Sequence, residues 1–171
     1  SRKDLIMLLV RRDFVAMYKQ TILGPLWFVI TPLINVAIFA FIFGSIAKLS
    51  TDGIPPILFY LSGLTLWNYF STTLNGTSNI FINNANLFGK VYFPRLAVPI
   101  SLTLSSLISF LIQFALLVVI MIFYYFNGHQ FHFNLFTILI PVILFFTSLL
   151  SLGIGIIISS LTTKYRDLRY L

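Results

Sequence analysis

Between Gly53 and Gly89, and again between Leu96 and Thr163, the chain carries no aspartate, glutamate, lysine or arginine. A water-soluble domain cannot be built that way. Soluble domains carry roughly 25% charged residues, whereas only 9% of these 171 residues are charged and 58% are hydrophobic. A fold of this size would lack the polar surface needed to cover its core. Lipid must be the solvent for most of the chain. Cysteine is absent, so neither a disulfide framework nor a thiolate metal site is available.

About 20 apolar residues cross the hydrocarbon core as a helix. Four stretches meet that length: 22–47, 56–80, 97–126 and 135–161. The expected fold is an all-α integral membrane protein with four transmembrane helices in one transmembrane domain, 1–171. An interfacial helix over 1–21 precedes the first span. A loop over 81–96 joins the second and third, and a turn over 162–171 closes the chain. The first apolar run is too long for a signal peptide, and a charged segment without a cleavage pattern precedes it. The ten-residue alternation of barrel strands is missing.

The few charges then report orientation. Arg2, Lys3, Arg11, Arg12 and Lys19 precede the first span, Lys90 and Arg95 lie between the second and third, and Lys164, Arg166 and Arg169 follow the fourth. These ten cations share one side of the membrane. Only Lys48 falls on the other, because the third loop, NGHQFHFN, has no Lys or Arg. The positive-inside rule puts the N-terminus in the cytoplasm. The formal charge of +7 is therefore a topology signal, and nucleic acid is not an expected partner.

The cytoplasmic loop NLFGKVYFPRLAVP holds more pattern than a linker needs. Residues 83–93 can form a short helix with Leu87, Phe88 and Val91 on one side. Pro94 ends it for want of a backbone donor, and Pro99 falls in the first turn of the next span, where that loss costs little. Such a basic helix with an apolar face fits two roles: an anchor on anionic lipid, or a docking element for a cytosolic partner.

The leading segment reads as a surface helix. Asp4, Arg11, Arg12 and Lys19 share one third of a helical wheel, with Leu8 and Val15 intruding and Asp13 off the arc. A charged flank that merely orients the first span is the plainer reading. Gly24-Pro25 and Trp27 open that span, tryptophan suiting the interface belt. Pro32 is expected to kink it, with Thr31 and Asn35 near enough to satisfy freed backbone groups or neighbouring helices.

The second span is the most polar. Asn68, Thr72, Asn75 and Asn79 follow i, i+4, i+7 and i+11, one narrow helix face, while Tyr60 and Trp67 sit a heptad apart on another. Polar side chains in lipid should turn toward protein or water. Interhelical hydrogen bonding explains that, and so does a conduit wall: sugar rings stack on aromatic faces beside amides. Ser151, Gly155 and Ser159 in the fourth span, and Ser105, Ser109 and Gln113 in the third, read as close-packing faces. His129 and His132 lack the further ligands of a metal site. Asn75-Gly76-Thr77 matches a glycosylation sequon but lies inside a predicted span.

No Asp, Glu, His, Lys or Arg falls within any span, so no proton relay is evident. No nucleophile with a base and no paired carboxylates appear. Gly89-Lys90 lacks the rest of a phosphate-binding loop. Uphill movement of a cargo would need energy from another chain.

Three segments carry a resemblance. RRDFVAMYKQTILGPLWFVITPL, with Tyr18-Lys19, Thr21, Leu23-Gly24, Trp27 and Pro32-Leu33, resembles the start of the membrane subunit of polysaccharide-exporting ABC transporters of the type 2 permease class. NLFGKVYFPRLAVPIS resembles the coupling segment of that family, and TKYRDLRYL its turn after the fourth span. The resemblance implies a non-enzymatic permease of six spans in the bacterial inner membrane, with two spans beyond this sequence. It implies a homodimer joined to two copies of a separate ATP-binding subunit, which holds ATP and magnesium. The implied cargo is a lipid-linked glycan such as O antigen, capsule or teichoic acid. Asn86, Leu87, Phe88, Lys90, Val91, Phe93, Pro94 and Arg95 would couple to the ATPase. Tyr60, Trp67, Asn68, Thr72 and Asn75 would line the conduit. Arg11, Arg12, Lys19 and Trp27 would meet lipid headgroups. An exporter of drugs, lipids or peptides, and a membrane scaffold without transport, are the alternative readings.

Overall fold

The computed structural model describes residues 2–18, 23–46, 48–80, 96–128 and 138–164. Five α-helices account for most of them: α1 (Arg2–Tyr18), α2 (Trp27–Phe39), α3 (Pro56–Ser78), α4 (Ala97–Phe126) and α5 (Ile140–Lys164). Among the described residues there is no strand. The protein is an all-α, multi-pass membrane protein. Three segments are long and apolar enough to cross a bilayer by length and composition: Trp27–Ile46, Ala97–Phe126 and Ile140–Thr162.

The sequence led us to expect four such spans. The difference lies in α3, a helix of 23 residues that is long enough but too rich in Thr, Ser and Asn. Its position explains how it tolerates them, because α3 is the hub of the bundle and packs against α2, α4 and α5. Leu61, Thr65, Tyr69, Thr73 and Thr77 form its buried stripe, one residue every four. A threonine can spend its hydroxyl on the preceding turn, as Thr65 does by donating to the Leu61 carbonyl at 2.7 Å. The side chain then packs as a small branched apolar group.

Contacts fix the directions. Tyr69 meets Phe110 edge-on at 5.5 Å, and Gly76, seven residues later, meets Leu102, so α3 and α4 run antiparallel. Thr77 lies against Gly155, while Ser62 and Thr65 share a recess with Ile140 and Ile143, so α3 and α5 run parallel. Ser151, Gly155 and Ser159 are all buried, and these small residues let the backbones approach.

The first span is not one uniform helix. A 3-10 turn, Gly24–Leu26, leads into α2, and the C-terminal end of the segment becomes a seven-residue π-helix, Ala40–Ile46. The α-helix continues through Pro32, which is buried. Beyond the π-helix, Lys48 and Asp52 both take a left-handed backbone (φ 50°) and Gly53 follows at 82°. Pro56 then starts α3 at the first-turn position where no donor is needed.

The leading helix does not float free. Leu9 and Val10 are buried, and Leu9 joins Ile80 and Val98 in a small core that Leu102 flanks. The Ser105 hydroxyl donates to the Val10 carbonyl at 3.4 Å. The opposite face is open and mixed: Met7 and Leu8 are 70% and 66% exposed, and Arg11 and Arg12 are exposed beside them.

Candidate functional site

A cavity of about 340 Å³ lies where α2, α3 and α4 meet. Helix α2 contributes Trp27, Thr31 and Asn35, α3 contributes Asn68 and Thr72, and α4 contributes Ser109 and Gln113. Phe28 and Pro32 complete the wall, and Gly24 stands at its edge. Glycine suits that place, because φ is +51° there, a conformation that side chains resist. The turn closes when the Leu26 N–H donates to the Leu23 carbonyl at 3.1 Å.

Every polar group in this wall is neutral. Asn68 donates its amide N–H to the Gln113 side-chain oxygen at 3.4 Å, a long and weak bond. It ties α3 to α4 at the cavity while leaving amide capacity on both residues. Hydroxyls, amides and one indole offer many modest hydrogen bonds and no fixed charge. Such a surface suits a polyhydroxylated, uncharged ligand better than an ion.

Of the residues proposed from sequence for the conduit, Asn68 and Thr72 meet in this cavity, and Trp27, assigned to the headgroup region, joins them. Asn75 is one turn further along α3, exposed, donating to the Ser71 hydroxyl at 3.2 Å. Asn79 donates to the Asn75 carbonyl at 3.0 Å, which continues the polar ridge toward the end of the helix. Tyr60 lies elsewhere, in an aromatic cluster with Phe39, Phe43 and Phe59 at 5.3–6.4 Å. Trp67 packs on Phe70 at 5.9 Å and is 60% exposed. Arg11 and Arg12 are exposed on α1, with Arg12 paired to the adjacent Asp13 at 2.7 Å.

The proposed coupling residues Asn86, Leu87, Phe88, Lys90, Val91, Phe93, Pro94 and Arg95 lie outside the described residues, as do Lys19, His129 and His132. Sequence reasoning assigned Thr31 and Asn35 to freed backbone groups or neighbouring helices, and Ser109 and Gln113 to packing. The structure brings all four to the cavity wall. The usable signal was that Ser109 and Gln113 repeat the four-residue polar step of Asn68 and Thr72 on a neighbouring helix.

The model of the ABC-2 type transporter family matches residues 4–170. A curated protein of Myxococcus xanthus, O-antigen export system permease protein RfbA, is 26% identical over 169 residues, covering 99% of this chain and 62% of its own length. A Klebsiella pneumoniae protein of the same name is 29% identical over 166 residues, covering 96% of this chain and 61% of its own. The chain thus spans about three fifths of the length of the curated relatives it matches.

Proposed function

Because the chain belongs to the ABC-2 type transporter family, we propose that it is part of the membrane subunit of an exporter for a lipid-linked polysaccharide. The cargo moves from the cytoplasmic to the outer face of a bacterial inner membrane. The subunit acts as a homodimer with two copies of a separate ATP-binding subunit, which carries the ATP and magnesium. The N-terminus is cytoplasmic, on the distribution of Lys and Arg. The names of the relatives, O-antigen export permeases, support the glycan class.

The neutral polar cavity between α2, α3 and α4 carries the reading. A glycan leaving water loses hydrogen bonds from every ring, and each bond must be replaced. Asn, Gln, Thr and Ser side chains replace them one at a time, and Trp27 offers a flat face for a sugar ring. Because no residue of the wall is charged, no single ring is held so tightly that the polymer stalls. The segment from Asn86 to Arg95 transmits closure of the ATP-binding subunits. Arg11 and Arg12 on α1 sit among lipid headgroups where the cargo enters.

Mild-detergent copurification of the full-length protein tests this. The expected result is a soluble P-loop ATPase that copurifies with the natural protein. It should be lost when Leu87, Phe88 and Val91 are all changed to Asp. Absence of any ATPase from both samples would favour the scaffold reading instead.

A further inference from the structure

Buried hydroxyls in this bundle mostly follow one rule. Thr65, Ser101, Thr103, Ser105 and Thr162 each donate to a carbonyl three or four residues back. Three others break it. Thr73 and Thr77 of α3 and Ser106 of α4 have no hydrogen-bond partner among the described residues. Thr73 and Thr77 are 0% exposed and Ser106 is 2% exposed. A hydroxyl taken out of water without a replacement bond destabilises a fold, and three in one bundle call for a common explanation.

The register of α3 against α4 gathers them. Tyr69 meets Phe110, and Gly76 meets Leu102. Thr73 is one turn beyond Tyr69, and Ser106 is one turn before Phe110. In an antiparallel pair these two buried residues fall at the same level. Thr77 stands on the next turn of the α3 stripe. Its β-carbon and methyl lie nearest Gly155, so the contact with α5 does not use its hydroxyl. Residues one turn apart on a helix have β-carbons about 5–6 Å apart, a gap that one water can bridge. The adjoining levels hold larger groups, Tyr69 against Phe110 on one side and Leu102 on the other. Thr73 and Ser106 are small and reach less far across the same contact.

Burial limits what can sit there. This chain alone closes off all three residues, so a lipid tail, a second copy or a further segment has no access to them. Helices α3, α4 and α5 carry no carboxylate, so a metal cation would find no charged ligand. A buried water typically makes about three hydrogen bonds to polar groups that are otherwise unsatisfied. We infer that one water is held between α3 and α4 at this level, bonded to Thr73, Thr77 and Ser106. It links the two helices where no direct side-chain bond does. A water bridge tolerates small changes of angle and distance, so this joint is satisfied without being locked.

The test is a cryo-EM map of the full-length protein in lipid nanodiscs, at a resolution that shows ordered waters. A peak is expected within hydrogen-bond distance of Thr73 Oγ1, Thr77 Oγ1 and Ser106 Oγ. A map without that peak overturns the proposal. So does one in which the hydroxyls bond each other or the carbonyls of the preceding turn. Thermal unfolding gives an independent reading. Thr73→Val keeps the shape of the side chain and removes its hydroxyl. With the water in place the unfolding midpoint should fall, because the bridge loses a partner. Ser106→Ala should lower it too, and the double variant should lower it by less than the two falls combined. An unchanged or raised midpoint for Thr73→Val would mean a bare hydroxyl and no bridge, and strictly additive falls would mean that the two residues share no water.

Discussion

Gly155 of α5 lies so close to Thr77 of α3 that a methyl group added to the glycine would come within 2.6 Å of the Thr77 β-carbon and 3.3 Å of the Leu74 carbonyl oxygen. Neither neighbour is the far end of a flexible side chain, so the helices themselves would have to part. Gly155→Ala should destabilise the bundle by about 1–3 kcal/mol, the usual cost of overpacking. Gly76→Ala is the control: the nearest atoms to the added methyl are the two Leu102 methyl carbons, at 2.7 and 2.8 Å, and Leu102 Cγ at 3.2 Å, a side chain that can turn aside where backbone cannot. Thermal unfolding in detergent should show a clear drop for the first and a small one for the second. Equal drops would mean that α3 and α5 are not in this contact.

Asn68 and Gln113 form the one direct side-chain link across the polar cavity among the described residues. At 3.4 Å it should contribute little, and a double-mutant cycle with Asn68→Ala and Gln113→Ala is expected to give a coupling of about 0.6 kcal/mol, typical of hydrogen bonds between membrane helices. Export should suffer more than stability, because both amides remain available to cargo. Asn68→Asp should be worse on both counts, since a carboxylate at a helix centre costs about 2.5–3.5 kcal/mol to insert. The readouts are unfolding midpoint and glycan at the cell surface. A large coupling energy with normal export would assign the pair a purely structural role.

Tyr60 and Trp67, alike from sequence, should behave differently. Tyr60 contacts Phe39, Phe43 and Phe59, and aromatic pairs contribute about 0.5–1.5 kcal/mol beyond area burial. Tyr60→Ala is therefore expected to lower the unfolding temperature. Trp67 is 60% exposed with Phe70 as its ring neighbour, so Trp67→Ala should leave stability nearly unchanged. If Trp67 faces a glycan in the assembled exporter, its loss should shorten the chains exported while the protein level holds. Normal chain lengths would remove Trp67 from the conduit.

The helical, membrane-spanning character of the chain was legible because uncharged stretches of span length admit little else. Less legible was which face of α3 would be buried. The asparagine stripe looked most in need of partners, yet Asn75 and Thr72 are exposed while Thr65, Thr73 and Thr77 are buried. Threonine is the ambiguous residue: Thr65 bonds its own backbone and packs like valine, whereas Thr73 and Thr77 are buried with no hydrogen-bond partner for their hydroxyls among the described residues, and the one-letter code does not tell these cases apart. The π-helix at Ala40–Ile46 left no sign either, since apolar residues fit α and π turns alike. The cavity was half visible. Asn68 and Thr72 declared themselves by spacing, but only the crossing of α2 with α3 and α4 joins Trp27 and Gln113 to them.

The polar hub has a consequence for biogenesis. Insertion into a membrane is decided largely segment by segment, by how favourably each helix partitions out of the translocation channel. Helix α3 is not among the segments long and apolar enough to cross by length and composition alone, yet it is the helix that the others grip. It is therefore expected to enter the bilayer in company, once α2 before it or α4 after it can cover its hydroxyls. A ribosome stalled after α3 should leave that helix partly outside the membrane, and one stalled after α4 should not.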